Sequence, residues 1–376
     1  MCSYTHITLF YSLVLSCFFG VALKETIAVL PGDGIGPEVI AEAVKVLEAL
    51  DLGFEFIQCE VGSKAYNDVG TPLPPKVMDI CESAKAVLFG AAGHSYAPYG
   101  IPRQVSIYLR IDRDAYANIR PLKLFPGIFG EDDPRNKLID VTIIRDVTEG
   151  FAVEHEGDVW GDRGRDIREI TLQGAMRISD YAFKYAEREN RKRVTCIDCH
   201  NLLFSDKLFR TGFNKVAENY PNIETTYLSV DVASMKLTQT PEKFDVIVTP
   251  DIYGDILAGN VIGQLGGVGL APSACIGDNF AYFEPIGGPA WDIAGKNVAN
   301  PLGAILASKL MLEWMDMNDH AARIDTAVRA LLEEGEVRTP DLGGTHNTSQ
   351  VGDAVVGYLR NPEQVYEVEI AEIPGV

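Results

Sequence analysis

Residues 26–50 read TIAVLPGDGIGPEVIAEAVKVLEAL. A β-branched apolar run breaks at a turn containing Gly32, Gly34 and Gly36. Val39, Ile40, Ala43, Val46, Leu47 and Leu50 then recur at helical spacing. Pro37 falls in the first turn of that helix, where its missing N–H leaves no bond unmade. A strand passing through a tight turn into an amphipathic helix is the building unit of α/β proteins. Further apolar runs of strand length occur at 86–90, 141–145, 194–197 and 244–249, with helical patterns over 170–189, 202–218 and 300–314. This alternation predicts a parallel or mixed sheet covered by helices on both faces. The 376 residues suffice for one large domain or two ordinary ones. With no repeat and no long linker, two domains would be interwoven.

The net charge of −20 argues against DNA, RNA or an anionic membrane as partner, since each needs a basic face. Small anionic substrates remain open, because local arginines can reverse the field inside a pocket. Cysteines at 2, 17, 59, 81, 196, 199 and 275 are odd in number and mostly scattered, which suits a reducing compartment and predicts a cytoplasmic protein. Residues 1–23 complicate this expectation. The stretch ITLFYSLVLSCFFGVAL is short for a membrane span and has the length of a signal's apolar core, yet no Lys or Arg precedes it. It reads as an apolar leader or as a start codon called too early; a genuine signal would export the protein.

Several stretches carry candidate chemistry. PGDGIGPE (31–38) is either a phosphate-binding loop at a helix N-terminus or a tight strand-to-helix turn. Arg110, Arg120 and Arg145 come from separate segments; converging, they would cradle a dicarboxylate through bidentate bonds. Asp251 and Asp255 stand one helical turn apart and, with Asp231, present oxygen ligands for a hard divalent cation such as Mg2+ or Mn2+. Alternatively, Asp251 only caps a helix. The Gly- and Pro-rich run at 283–306 is read as a loop leading into a helix, with Asp292 suited to ribose hydroxyls. CIDCHN (196–201) admits a haem attachment site, a redox dithiol, part of a metal site, or an altered active-site loop.

Taken together, AVLPGDGIGPEVI, AYANIRPLK, IIRDVTEG, FDVIVTPDIYGDIL, GGVGLAPSACIG, FEPIGGPAWDIAGKNVANP and RTPDLGGTHNTS resemble the β-decarboxylating dehydrogenases that act on isopropylmalate, isocitrate, homoisocitrate and tartrate or malate. The resemblance runs from about residue 26 to 356. It implies a two-domain α/β fold with a mixed sheet flanked by helices, distinct from the Rossmann fold, and usually a homodimer. Residues 24–115 plus 267–376 would form the cofactor side, and 116–266 the substrate and dimerisation side. The implied reaction takes a 3-substituted (2R)-malate, moves the C2 hydride to NAD, and releases CO₂ with a divalent metal as Lewis acid. The carboxylate-holding arginines match Arg110, Arg120 and Arg145, and two metal aspartates match Asp231 and Asp255. Asp292 would repel the 2′-phosphate of NADP; Glu284, Gly288 and Asn297 belong to the same cofactor side.

Four positions depart from the family pattern. Its acid tyrosine is Ala152, its relay lysine Cys199, its third metal aspartate Gly259, and its loop histidine Gly287. His200 or Cys199 is then expected to take over proton transfer, histidine being the better base type near neutral pH, unless both only pack. Asp251, standing where the family usually has an amide, either restores the carboxylate count or only caps the helix. Glu154 and His155 are the nearest donors in sequence to the lost tyrosine. Ser106 and Ile107 replace two pocket leucines of isopropylmalate enzymes, and Arg103 suits a polar or anionic substituent. The alternative to an enzyme is an impaired paralogue that binds a carboxylate or nucleotide as a regulatory subunit.

Overall fold

The computed structural model describes residues 24–93, 103–130, 132–151 and 158–361. Its first half opens with β1 (Thr26–Gly32), α1 (Gly36–Ala49), β2 (Glu55–Gln58), α2 (Ser63–Val69), α3 (Pro75–Ser83) and β3 (Ala86–Ala91). A short helix α4 (Arg103–Ile107) runs into one wide turn, Tyr108–Asp112, and leads to β4 (Ala117–Lys123) and β5 (Asp140–Asp146). A small hairpin, β6 (Asp158–Trp160) with β7 (Arg163–Arg165), precedes α5 (Leu172–Arg188), β8 (Arg193–Asp198) and α6 (Phe204–Ala217). Then come β9 (Glu224–Ser229), α7 (Val230–Gln239), β10 (Val246–Thr249) and α8 (Asp251–Ile262). The chain closes with β11 (Pro272–Ile276), β12 (Ala281–Pro285), α9 (Leu302–Trp314), α10 (Asn318–Glu334) and α11 (Thr348–Arg360).

Ten strands form one sheet in the order β2-β1-β3-β12-β11-β4-β5-β10-β8-β9. The outer pairings are parallel, whereas β12, β11, β4 and β5 pair antiparallel with one another. The sheet is therefore mixed, as the alternation of patterns predicts. Its fully buried strands explain the continuous apolar runs of the sequence, since both faces are covered. On one face α1, α5, α6, α9, α10 and α11 share a large core that includes Val29, Leu88, Ile144, Val194 and Val248. The other face carries two smaller cores. One joins Leu30, Val87 and Phe89 to Tyr108 and Leu109. The other joins Leu122, Ile143, Ile197 and Ile247 to Leu257 and Val261 of α8. Arg110 borders the first of these cores; Arg120 and Arg145 alternate with Leu122 and Ile143 of the second, so the gap between them receives all three arginines.

The glycine-rich turn after β1 is a packing device. A Cβ on Gly34, whose φ is +62°, would lie 1.8 Å from the Pro289 carbonyl oxygen. Ile35 N donates to that oxygen at 2.8 Å, and Asp33 N donates to Ala91 O at 2.8 Å. Protein partners occupy these amides, so of the two sequence readings the tight turn is what the chain builds. The run 283–306 also differs from its reading as a loop: Phe283–Pro285 closes β12 against β11 and β3, because Tyr282 and Phe283 are buried sheet side chains. Behind β4, Ile119, Pro121 and Lys123 help line a cavity of about 490 Å3 on the face away from Arg120. Among the described residues no helix is long and apolar enough to cross a membrane; residues 1–23 lie outside them.

Candidate active site

The parallel strands β5, β10 and β8 lie side by side, and their C-terminal ends carry Arg145, Asp251 and the CIDCHN segment in that order. In open α/β sheets this edge is where ligands bind. Arg145, the largest fully buried side chain, is 1% exposed. Its Nε donates to Asn118 Oδ1 at 2.8 Å. Its Nη1 donates to Asp255 Oδ2 at 2.7 Å and is also bonded to Asp251 Oδ1. Gly254 makes room for this arginine: a Cβ there would sit 2.8 Å from Arg145 Cδ.

Arg120, from the neighbouring β4, places Nη1 2.6 Å from Asp255 Oδ1. Arg110 reaches from the wide turn after α4. Its Nε donates to Tyr282 Oη at 2.7 Å, and its Nη2 lies 3.4 Å from Glu284 Oε1. All three guanidinium groups act electrostatically on both Asp251 and Asp255. The expected convergence of Arg110, Arg120 and Arg145 is therefore present in one chain.

The two aspartates differ in setting. Asp251 is 3% exposed, and burial outweighs the arginines to push its carboxyl above the usual range. The Asp255 side chain is 52% exposed; burial alone would raise it, but Arg145 and Arg120 together hold it low. Burial and the Arg145 charge both depress Arg120. Asp146, next to Arg145, is buried and raised to about 6, chiefly by desolvation. Its Oδ1 accepts from Thr148 N and Oγ1, each at 2.8 Å.

One strand over, Asp198 ends β8 fully buried. It accepts from Arg210 Nε at 2.7 Å and Nη2 at 2.9 Å, and from His200 N at 3.1 Å. His200 Nδ1 is 3.0 Å from the same carboxylate. A carboxylate only accepts, so the Nδ1 proton points at Asp198, and among the described residues no side chain bonds Nε2. The His200 side chain is 37% exposed. Cys199 N donates to Asp206 Oδ2 at 2.7 Å, and Tyr253 Oη donates to the same oxygen at 3.0 Å. Arg168 Nη1 balances Asp206 from 2.5 Å.

The two cysteines of CIDCHN are free thiols of different kinds. Cys196 is buried within β8, where desolvation drives its thiol far up; Cys199 is half-buried. A haem bridge or a dithiol switch needs both accessible, which this strand denies. Among the described residues no cluster of three His, Cys, Asp or Glu side chains is placed to hold a metal. Asp231 stands exposed in the first turn of α7, and Asp251 is committed to Arg145 rather than to an open oxygen cage. Gly259 faces open space.

The cofactor-side candidates spread along the sheet edge. Glu284 lies against Arg110, Asp292 and Gly288 are exposed, and Asn297 Oδ1 accepts from Ser349 N at 3.2 Å and Oγ at 3.0 Å at the start of α11. Ser106 is half-buried on α4. Ala152, Glu154, His155 and the Arg103 side chain lie outside the described residues. Sequence reasoning missed Asn118, whose Nδ2 donates to Ser273 Oγ at 2.7 Å while its Oδ1 holds Arg145. Its signal was an amide two residues before Arg120, set among the apolar Ala117, Ile119 and Leu122. Asp198 and Arg210 were missed because their pairing joins β8 to α6, a tertiary contact.

A cradle of arginines and acids at the carboxyl edge of a mixed sheet defines a class of proteins that bind small organic acids. Residues 26–355 match the model of the isocitrate/isopropylmalate dehydrogenase family. A 3-isopropylmalate dehydrogenase of Methanothermobacter thermautotrophicus is 40% identical over 338 residues, covering 89% of this chain and 98% of that protein. A homoisocitrate dehydrogenase of Methanocaldococcus jannaschii is 40% identical over 349 residues, covering 90% and 99%. The crystal structure of an isocitrate dehydrogenase from Methylococcus capsulatus superimposes with a TM-score of 0.84 at 35% identity, covering 89% and 99%. The chain belongs to the isocitrate/isopropylmalate dehydrogenase family of decarboxylating oxidoreductases.

Proposed function

We propose that the protein oxidises a (2R)-malate bearing a C3 substituent, with NAD and a divalent metal, and then releases CO₂. The observation that carries this reading is the meeting of Arg110, Arg120 and Arg145 around Asp251 and Asp255. Three fixed guanidinium groups suit a doubly charged acid, and planar bidentate bonding orients its carboxylates.

Asp255 offers a half-exposed hard oxygen donor beside the cradle, which suits Mg2+ or Mn2+. Asp231 is exposed, so a homodimer that brings Asp231 of a second copy to Asp255 completes the donor set. When bound, the cation would supply Lewis-acid polarisation of the C2 oxygen and the nicotinamide a hydride acceptor. His200 Nε2 takes the C2 hydroxyl proton, with Asp198 and Arg210 fixing the ring. The C2 hydride leaves with its electron pair, the C3 carboxylate departs as CO₂, and a proton returns to C3. Exposed Asp292 disfavours a 2′-phosphate and thus favours NAD. The free thiols among the described residues support a cytoplasmic site of action. The division into 24–115 plus 267–376 and 116–266 is proposed on the strand order, whose boundary would fall between β11 and β4.

NADH formation, followed with full-length protein, Mg2+ or Mn2+ and a panel of 3-substituted malates, tests the reading. Turnover of at least one acid is expected; silence across the panel and across pH rejects it. A second reading, a regulatory subunit that binds acids without turnover, draws on the internal pairing of Arg120 and Arg145 with Asp255 and Asp251. Calorimetric binding with no NADH would favour it.

A further inference from the structure

Around the cradle three guanidinium groups face three carboxylates: Arg110 with Glu284, Arg120 with Asp255, and Arg145 with Asp251 and Asp255. These pairings differ in how readily they can open. Asp255 is half-exposed on the helix surface and can turn away toward a cation. Asp251 is fixed at the first position of α8 with its side chain 3% exposed, and Arg145 beneath it is 2% exposed. Leaving either unpaired would bury a bare charge. Arg145 has Nε engaged by Asn118 and Nη1 by Asp251, so it can orient an incoming acid while its net charge stays cancelled.

We propose that Asp251 is a specificity-determining residue, a built-in counter-ion that sets the cradle for acids with two carboxylates and against acids with three. With Asp255 drawn toward a cation, Arg120 is released to a substrate carboxylate, and Arg110 is held to Glu284 only loosely, at 3.4 Å. A malate with an uncharged C3 substituent then meets matching positive charge. A tricarboxylate brings a further negative group to a site whose remaining guanidinium is already neutralised by a buried carboxylate. This inference rests on the dehydrogenase reading for its choice of ligands, but it is tested by binding and is separable from turnover.

Titration calorimetry with full-length protein and Mn2+ compares 3-isopropylmalate with isocitrate, in the parent chain and in Asp251→Asn. The parent is expected to bind isopropylmalate roughly tenfold or more tightly than isocitrate, and Asp251→Asn to shift the ratio of the two affinities toward isocitrate by roughly tenfold, the scale of one charge acting over about 10 Å inside a protein. A structural role for Asp251 would weaken both acids together and leave the ratio in place. An unchanged ratio, or a parent chain that binds isocitrate as tightly as isopropylmalate, overturns the proposal; the second result needs no variant to fold. A shifted ratio without NADH formation would retain this inference and remove the enzymatic reading. Failure of both acids to bind removes both.

Discussion

The carboxyl ends of β5 and β8 hold two charged networks separated by the single strand β10, and they are built differently. On the β5 side, Arg120 and Arg145 are locked onto Asp251 and Asp255. On the β8 side, a buried carboxylate, Asp198, is held by Arg210 and in turn steers an exposed ring, His200. The first network trades availability for rigidity, since each guanidinium is already paired before any ligand arrives. The second leaves its reactive nitrogen free. Of the four family positions that changed, Cys199 falls beside the free network, whereas the cradle keeps its arginines and gains Asp251. On the proposed function, change has entered at proton transfer and charge balance, and the groups proposed to grip carboxylates persist.

The largest effect should come from the rigid side. Arg145→Ala leaves Asp251 buried without its partner and removes an orienting group, so urea denaturation should show a loss of about 3–5 kcal/mol, with activity abolished. A loss below about 1 kcal/mol would mean the cradle is far more plastic than its burial implies. His200→Asn comes next. It should lower kcat by about 10²–10⁴ with little change in KM; a pure KM effect would demote His200 to binding.

Asp146→Asn probes the strand that carries Arg145. The folded carboxyl titrates at about 6 against an ordinary value of 3.8, so folding favours its protonated form. That contribution is complete below about pH 4 and is lost as pH rises through about 6, a difference of about 3 kcal/mol. The variant should therefore gain stability over the parent above pH 6 and converge with it in acid, as denaturation midpoints at several pH values will show. The smallest effect concerns the thiols: a brief exposure of folded protein to a thiol reagent should label Cys199 well before Cys196, read by peptide mass spectrometry. Equal labelling would show that β8 opens readily.

Much of the frame was legible. The buried parallel strands β1, β3, β5, β8 and β10 announce themselves as apolar runs, because burial on both faces leaves no room for alternation. The antiparallel strands β4, β11 and β12 did not. Asn118, Arg120 and Pro121 interrupt β4, and proline at Pro272 and Pro285 marks the ends of β11 and β12 as if they were loops. Two of those interruptions, Asn118 and Arg120, belong to the candidate site, where polar side chains enter the sheet. The three arginines stood out by residue type, and their spacing alone could not say that they meet. What stayed hidden is the pairing, since Asp251 reads as a cap or a ligand until Arg145 is seen beneath it.

One side chain stitches the sheet's antiparallel centre. Asn118 of β4 bonds Ser273, Ala274 and Cys275 on β11 and, through its other end, Arg145. The hydrogen-bonded ladder crosses this seam without a break. The two flanks of the molecule thus share a common spine, and any inward stroke over a bound acid must twist that spine instead of swinging on a loose joint. The Asn118 bond to Arg145 would be strained with it.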